Sequence, residues 1–351
     1  MDAKYTLHNT FHTLYGRNLI GEFPNFAHRP YLIVTMRDLW EKFAAVFERV
    51  GSDLAGVYFV ETLEYAALAA EVEALPFCNC VIGLGGGQAI DVAKFIAWRR
   101  RLPLFQAPTS MSVDAVFGHR AAVRFDGRVR YMGWAVPEAV YVDYDVIQSA
   151  PPLLNRAGVC DVLCYHTARF DWELAHARGK TEAQWPFNRA MVDEAAAVMQ
   201  TVLDNLDEIH HVSESGIRTL MNALRWGGAA YHNAGWNARH IEGVEHFIFY
   251  ALEYLTGKKF IHGQPVCLGI YIGARLQENR AAAMLDAIAR VGVDIRPRAM
   301  NISWDDVANA LHKLKAFVQE QGYWYSIAHE ATIDNTFLKQ IRAEVEQRFG
   351  S

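Results

Sequence analysis

The sequence carries no CxxC pair, no apolar stretch of about 20 residues, no basic excess, no fixed-period repeat and no long Ser/Gly linker. Each absence excludes something. Without paired cysteines, a zinc ribbon or a thioredoxin-type redox site has no ligands. The five cysteines, Cys78, Cys80, Cys160, Cys164 and Cys267, are an odd number without a regular framework, as expected of a reducing compartment. No helix is expected to span a bilayer, and the start Met1-Asp2-Ala3-Lys4 lacks the charged-then-apolar layout of a secretory signal. A cytoplasmic protein without a membrane partner is the expectation. Lys and Arg number 34 against 39 Asp and Glu, a net charge of −5, whereas nucleic-acid binders carry a basic surplus to neutralise phosphates. The one dense basic run, Arg99-Arg100-Arg101, reads as a solvated helix end, so no nucleic-acid partner is expected.

What is present is a chain of 351 residues, 52% hydrophobic and 21% charged. That is about two domains' length and enough to bury a core without disulfide or metal staples. Residues 1–150 alternate between strand and helix patterns. Tyr31-Leu32-Ile33-Val34-Thr35, Gly56-Val57-Tyr58-Phe59-Val60, Cys80-Val81-Ile82-Gly83 and Pro103-Leu104-Phe105 are short apolar runs, and helical spacing fills the intervals 38–50, 62–75 and 90–98. Alternation at this length implies parallel pairing through crossovers, a doubly wound Rossmann-like α/β sheet. Residues 121–130 and 132–142 read as a hairpin plus an extended segment at the sheet's edge. Pro151-Pro152 marks a change. From Leu153 onward nearly every apolar run has helical spacing, over 153–177, 187–206, 215–231, 244–255, 263–280, 304–321 and 335–349. The second domain, 151–351, is therefore expected to be all-helical, with a ligand cleft where the two domains meet.

Three local patterns carry chemistry. Gly83-Leu84-Gly85-Gly86-Gly87 follows a strand and opens a helix near Gln88. Glycines there permit close backbone approach, and the free amides and dipole of the helix start suit a phosphate or pyrophosphate. The spacing is neither GxGxxG nor a Walker loop, and a plain tight turn is the competing reading. Pro108-Thr109-Ser110-Met111-Ser112-Val113-Asp114 follows the next strand, at the sheet edge where open α/β folds bind ligands. A Ser/Thr-rich turn with a helix cap explains it equally. Asp161 in an apolar helix, His246 beside aromatic residues and His262 at a helix start could converge as one carboxylate and two imidazoles around a divalent metal with an open position. Spacing alone does not bring them together, and most of the 14 histidines, His210 and His211 among them, are expected on solvated positions.

Taken in order, these segments resemble the sn-glycerol-1-phosphate dehydrogenase branch of the superfamily of glycerol dehydrogenases, iron-containing alcohol dehydrogenases and dehydroquinate synthases. The resembling segments are residues 83–94, 108–114, Pro137-Glu138-Ala139-Val140-Tyr141-Val142-Asp143, Ala157-Gly158-Val159-Cys160-Asp161 with 170–175, Gly243-Val244-Glu245-His246, and His262-Gly263-Gln264. The resemblance implies a dehydroquinate synthase-like fold, with an NAD(P)-binding domain and a helical metal domain. It implies Gly85, Gly86, Gly87, Gln88, Thr109 and Ser112 at the dinucleotide, and Asp161, His246 and His262 at one divalent metal, zinc first, with iron or nickel as alternatives. Asp114 and Tyr250 would orient substrate hydroxyls or relay a proton. A small polyol or polyol phosphate would be the substrate, and a homo-oligomer the assembly.

The chain departs from the family pattern mainly at the substrate end. Cys160 stands for a glycine, Tyr165 for a lysine, Glu242 within an Arg-Pro-Ala-Ser-Gly stretch, Tyr250 for a histidine and Gln264 for a glutamate. A missing lysine and an added carboxylate weaken the case for a phosphorylated substrate. Two other readings stand beside the dehydrogenase: a dehydroquinate-synthase-like cyclase recycling its NAD, faintly echoed by residues 112–118, and a non-catalytic nucleotide-binding relative. Arg37 after the first main strand could meet the 2′-phosphate of NADP or simply cap a helix in solvent.

Overall fold

The computed structural model describes residues 12–21, 28–48, 53–233 and 236–350; the start Met1–Lys4 lies outside them. Residue contacts divide the chain into two compact units. The first runs to Asn155 and takes in Leu224–Gly235, and the second holds Arg156–Ala223 and Trp236–Ser351.

The first unit is built on a six-stranded sheet in the order β1-β8-β5-β4-β2-β3. The strands are β1 (His12–Gly16), β2 (Tyr31–Thr35), β3 (Leu54–Phe59), β4 (Cys80–Gly85), β5 (Leu104–Pro108) and β8 (Pro137–Asp143), and every pairing is parallel. β2, β4 and β5 are buried along their whole length, which is why they read as mainly apolar runs, with Thr35 and Gln106 as buried polar exceptions. Alternate residues serve two cores. Leu32, Val34, Val81 and Leu104 pack with Val92, Phe95 and Ile96, while Ile33, Ile82, Leu84 and Phe105 pack with Phe43 and Phe47. The helices supplying these faces are α1 (Arg37–Glu48), α2 (Tyr65–Glu73) and α3 (Gly87–Arg100). β3 lies on one side of β2 and β4 on the other, so the carboxyl ends of β2 and β4 flank the point where the winding reverses. Open α/β sheets bind ligands there.

The extended segment expected at the sheet edge is not there. β8 lies between β5 and β1, and the edge belongs to β1, which pairs with it from His12↔Ala139 to Gly16↔Asp143. Its sequence, His-Thr-Leu-Tyr-Gly, is short and partly exposed, so it shows no apolar run to mark it. The hairpin β6 (Ala121–Phe125) and β7 (Arg128–Met132) forms a separate antiparallel sheet, with Ala121 and Val123 buried among α3 residues. A short helix, α4 (Tyr144–Gln148), is capped by the Asp143 side chain accepting from Asp145 N–H.

The rest is helical: α5 (Pro152–Ala157), α6 (Cys160–Leu163), α7 (Tyr165–Ala177), α8 (Arg189–Asp204), α9 (Leu206–His210), α10 (Glu214–Asn233), α11 (Val244–Thr256), α12 (Gly263–Leu276), α13 (Ala281–Val291), α14 (Trp304–Gln321) and α15 (Asn335–Phe349). Where the apolar spacing predicts one helix over 153–177, three short ones occur, because Gly158 interrupts after α5 and the chain turns again at Cys164. The pattern over 263–280 ends at Leu276, and α13, unmarked by that pattern, begins after Arg280 adopts a left-handed conformation at φ 49°. No helix among the described residues is long and apolar enough to cross a membrane.

Candidate functional site

In the first unit, Gly86 caps α3 and Gly87 is its first residue, so the free amides of that helix face the turn after β4. Gly85 is required by closeness: a Cβ there would lie 2.7 Å from Ala89 Cβ. The turn is tied to the next loop by Thr109 N–H donating to Gly85 O at 3.0 Å. Ser110 and Ser112, whose hydroxyls are 3.3 Å apart, border Gly86, where a Cβ would find Ser110 Oγ at 3.6 Å and Ser112 Oγ at 3.8 Å. Gly86, Ser110 and Ser112 thus lie together at the start of α3, with Thr109 tied to Gly85, while Gln88 is exposed on the first turn. Asp114 opens a short 3₁₀ turn, and its carbonyl accepts from Phe117 N–H and Gly118 N–H. That loop is clamped by the buried Lys94, which donates to Ala115 O and Arg120 O and pairs with Asp91 at 2.7 Å. Arg37 is exposed and paired with Glu61 at 2.9 Å.

In the second unit, Asp161 lies on α6, His262 at the N-cap of α12 and His246 in the first turn of α11. His262 Nε2 is 3.0 Å and His246 Nε2 3.8 Å from the same oxygen, Asp161 Oδ1, and the two rings are 5.5 Å apart. Local sequence explains the approach. A Cβ at Gly263 would be 2.2 Å from the Ala157 carbonyl oxygen, so only glycine lets the start of α12 abut the end of α5 and carry His262 to Asp161. His246 is oriented from behind, its Nδ1 lying 2.9 Å from Glu245 Oε1. Glu245 is itself held by Gly243 N–H at 2.6 Å and Thr167 Oγ1 at 2.6 Å. With Nδ1–H directed at Glu245, the Nε2 lone pair is left for the Asp161 side.

The charges fit a cation. Burial alone would raise the Asp161 carboxyl, but His262 and His246 hold it well below the usual range. Burial would depress His246, yet Asp161, Glu245 and Glu242 outweigh it and raise this imidazole well above its usual value. Burial raises the Glu242 carboxyl, the imidazoles opposing. Three carboxylates thus surround two imidazoles in a largely buried place, a donor set that suits a divalent metal.

Tyr250 is buried, and its hydroxyl donates to Glu242 Oε1 at 2.9 Å. Its ring is 6.1 Å from that of His246. Tyr165 is wholly buried. Gln264 uses its amide to donate to Asp294 O at 2.8 Å, a bond that a glutamate could not make. His211 is exposed, but His210 is half-buried with Nδ1 3.1 Å from Val291 O, which corrects its expected solvated position. Sequence reasoning left out Glu245, although its place immediately before a ligand-candidate histidine was a usable signal. It also gave no role to Lys94, although the resembling segment 83–94 ends on it, nor to Thr167, which nothing in the linear sequence marks.

A sequence profile of the iron-containing alcohol dehydrogenases matches residues 34–151. The glycerol-1-phosphate dehydrogenase [NAD(P)+] of Thermoplasma acidophilum is 32% identical over 272 residues, covering 78% of this chain and 73% of the relative. The chain belongs to this family. A second glycerol-1-phosphate dehydrogenase, from Thermofilum pendens, is 31% identical over 81% of this chain and 82% of its own. The solved glycerol dehydrogenase of Schizosaccharomyces pombe superposes with a TM-score of 0.69 at 16% identity, over 98% of this chain and 91% of that one, a likeness of fold. Membership in the glycerol-1-phosphate dehydrogenase family makes the chain an oxidoreductase of the iron-containing alcohol dehydrogenase class.

Proposed function

We propose that this chain is a metal-dependent, NAD(P)-linked dehydrogenase of a small polyol phosphate, interconverting an alcohol of the glycerol 1-phosphate type with its ketone. The observation that carries the reading is the convergence of His246 and His262 on one oxygen of Asp161, in a chain of this family. The first unit would be the dinucleotide-binding part, with the 85–88 turn, Thr109 and Ser112 at the diphosphate. The second would hold the metal through Asp161, His246 and His262. When bound, the metal supplies Lewis acidity toward the reacting oxygen and the dinucleotide a hydride acceptor. Zinc is the first metal to test, since imidazole and carboxylate donors with an open position suit it.

The chain's own residues supply the proton path and the orientation. Tyr250 hands or receives a proton through its hydroxyl, and Glu242 behind it takes the charge. Burial raises the Glu242 carboxyl, which favours its holding a proton that the Tyr250 hydroxyl can exchange. Asp114 would accept a bond from a substrate hydroxyl.

An unphosphorylated polyol is the second reading, favoured by a specific observation. Tyr165 is wholly buried and its side chain brings no positive charge to a phosphate. The test is zinc-loaded protein assayed with dihydroxyacetone phosphate and dihydroxyacetone, with NADH and NADPH. Stoichiometric cofactor oxidation with the phosphorylated ketone supports the proposal. Oxidation with the free ketone alone moves the substrate to the second reading. Dinucleotide bound without turnover of either ketone would favour a non-catalytic nucleotide-binding relative.

A further inference from the structure

Cys160 opens α6 immediately before Asp161 and is wholly buried. Its Sγ lies 3.0 Å from Asp161 Oδ1, the oxygen that His262 Nε2 meets at 3.0 Å and His246 Nε2 approaches at 3.8 Å. The ligand-capable atoms of Cys160, Asp161 and His262 all lie within 4.8 Å of one another. A thiol, a carboxylate and one imidazole therefore crowd one point, and the second imidazole approaches the same carboxylate oxygen.

We propose that Cys160 is a further ligand of the metal, giving this chain a sulfur donor in addition to Asp161, His246 and His262. The proposal rests on the reading that these three hold a metal. Ligand bonds to zinc are about 2.0–2.1 Å for imidazole nitrogen, 2.0–2.2 Å for carboxylate oxygen and 2.3 Å for thiolate sulfur, so donors around one ion stand some 3–4 Å from each other. The trio is already close to that spacing. Bond formation replaces the S–H···O contact with Asp161 by an Sγ–metal bond, the thiol proton leaving to water with no change of oxidation state. A sulfur donor shifts preference toward softer ions such as zinc or cobalt and away from magnesium, calcium or manganese.

The neighbouring thiols are placed differently. Cys164 Sγ donates to Ile241 O at 2.9 Å; it forms a second trio with Glu245 and His246, but there Glu245 already engages His246 through Nδ1. Cys267 is buried on α12, where burial first and Asp161 second raise its thiol, as they do for Cys160, but it belongs to neither trio. The comparison of three cysteines makes the test specific.

The experiment is zinc K-edge X-ray absorption on the full-length zinc-loaded protein, with metal content measured in parallel, for the parent, Cys160→Ala, Cys164→Ala and Cys267→Ala. Circular dichroism checks folding, and Cys160→Gly serves as a second variant at that position. The expected result is one sulfur scatterer at about 2.3 Å in the parent, kept in Cys164→Ala and Cys267→Ala. In folded Cys160→Ala or Cys160→Gly it is lost, leaving zinc with nitrogen and oxygen neighbours only, or no zinc. Stoichiometric zinc with no sulfur in the parent, or a sulfur shell that survives in both Cys160 variants, overturns the proposal and leaves the three-residue metal reading standing. A folded parent that takes up neither zinc nor cobalt overturns that reading, and this proposal with it.

Discussion

At the scale of single residues, one carboxylate of the second unit orders one imidazole. Glu245 accepts from Gly243 N–H, Thr167 and His246 Nδ1 at once, so it fixes both the ring orientation and the tautomer of His246. Glu245→Gln keeps the shape but loses the charge and one acceptor. Zinc affinity, measured by competition with a chromophoric chelator, is expected to fall by about 10–100-fold; unchanged affinity would show that Glu245 only packs. Tyr250 makes a separate claim. Tyr250→Phe removes the hydroxyl that meets Glu242 while preserving the ring against Phe249 and Tyr323. Its kcat is expected to drop by about 10²–10⁴-fold with zinc content intact, and the pH profile of kcat to lose the limb that Glu242 supplies. A loss confined to KM would make Tyr250 a wall of the site rather than a proton carrier.

Elements show why part of this was legible in the sequence and part was not. β2, β4 and β5 are buried on both faces, so all but Thr35 and Gln106 of their residues are apolar or small, and the string displays that requirement. β1 takes its place only because β8 offers it an edge, and its five residues carry no pattern of their own. Gly158 is a visible break, yet helical spacing runs through it and through the turn at Cys164, since α5, α6 and α7 each keep apolar residues buried. Asp161, His246 and His262 belong to three different elements, and what joins them is a shape, the missing Cβ of Gly263 against Ala157. No spacing rule encodes that. The β4–α3 turn is the opposite case, since its glycines and its helix start are contiguous. Gly85→Ala would set a methyl carbon 2.7 Å from Ala89 Cβ, forcing strand and helix apart just where the amides converge. NADH affinity, followed by its fluorescence on binding, is expected to weaken at least about tenfold, some 1.4 kcal/mol, with zinc uptake unchanged because the metal residues lie in the other unit. Parent-like NADH affinity would remove this turn from the cofactor site.

At the scale of the whole molecule, each unit buries a histidine that the mechanism does not use. His119 in the first and His240 in the second are both wholly inaccessible. Burial, with Lys94 adding to it for His119, brings each imidazole down to about 3. The unfolded chain protonates such rings near 6.5, and the folded chain does so only near 3. Stability is therefore fully present above about pH 6.5 and is lost progressively as pH falls toward 3, at about 1.4 kcal/mol per pH unit for each ring. Asp171 works in the other direction. Burial raises its carboxyl to about 7 against three N–H donors, so the folded state binds that proton more tightly and gains stability between about pH 7 and 3.8. The opposing slopes make the net acid response of the parent a poor measure of any one group, whereas a difference between parent and variant isolates it. In His119→Phe the ring against Trp134 is kept and the titration removed. Urea unfolding of both proteins at pH 7 and pH 5 should show the parent losing about 2 kcal/mol more than the variant over that interval, out of the 5–15 kcal/mol typical of a folded domain. Parallel losses would mean that His119 takes up its proton in the folded state, and that the interior around α3 is open to water.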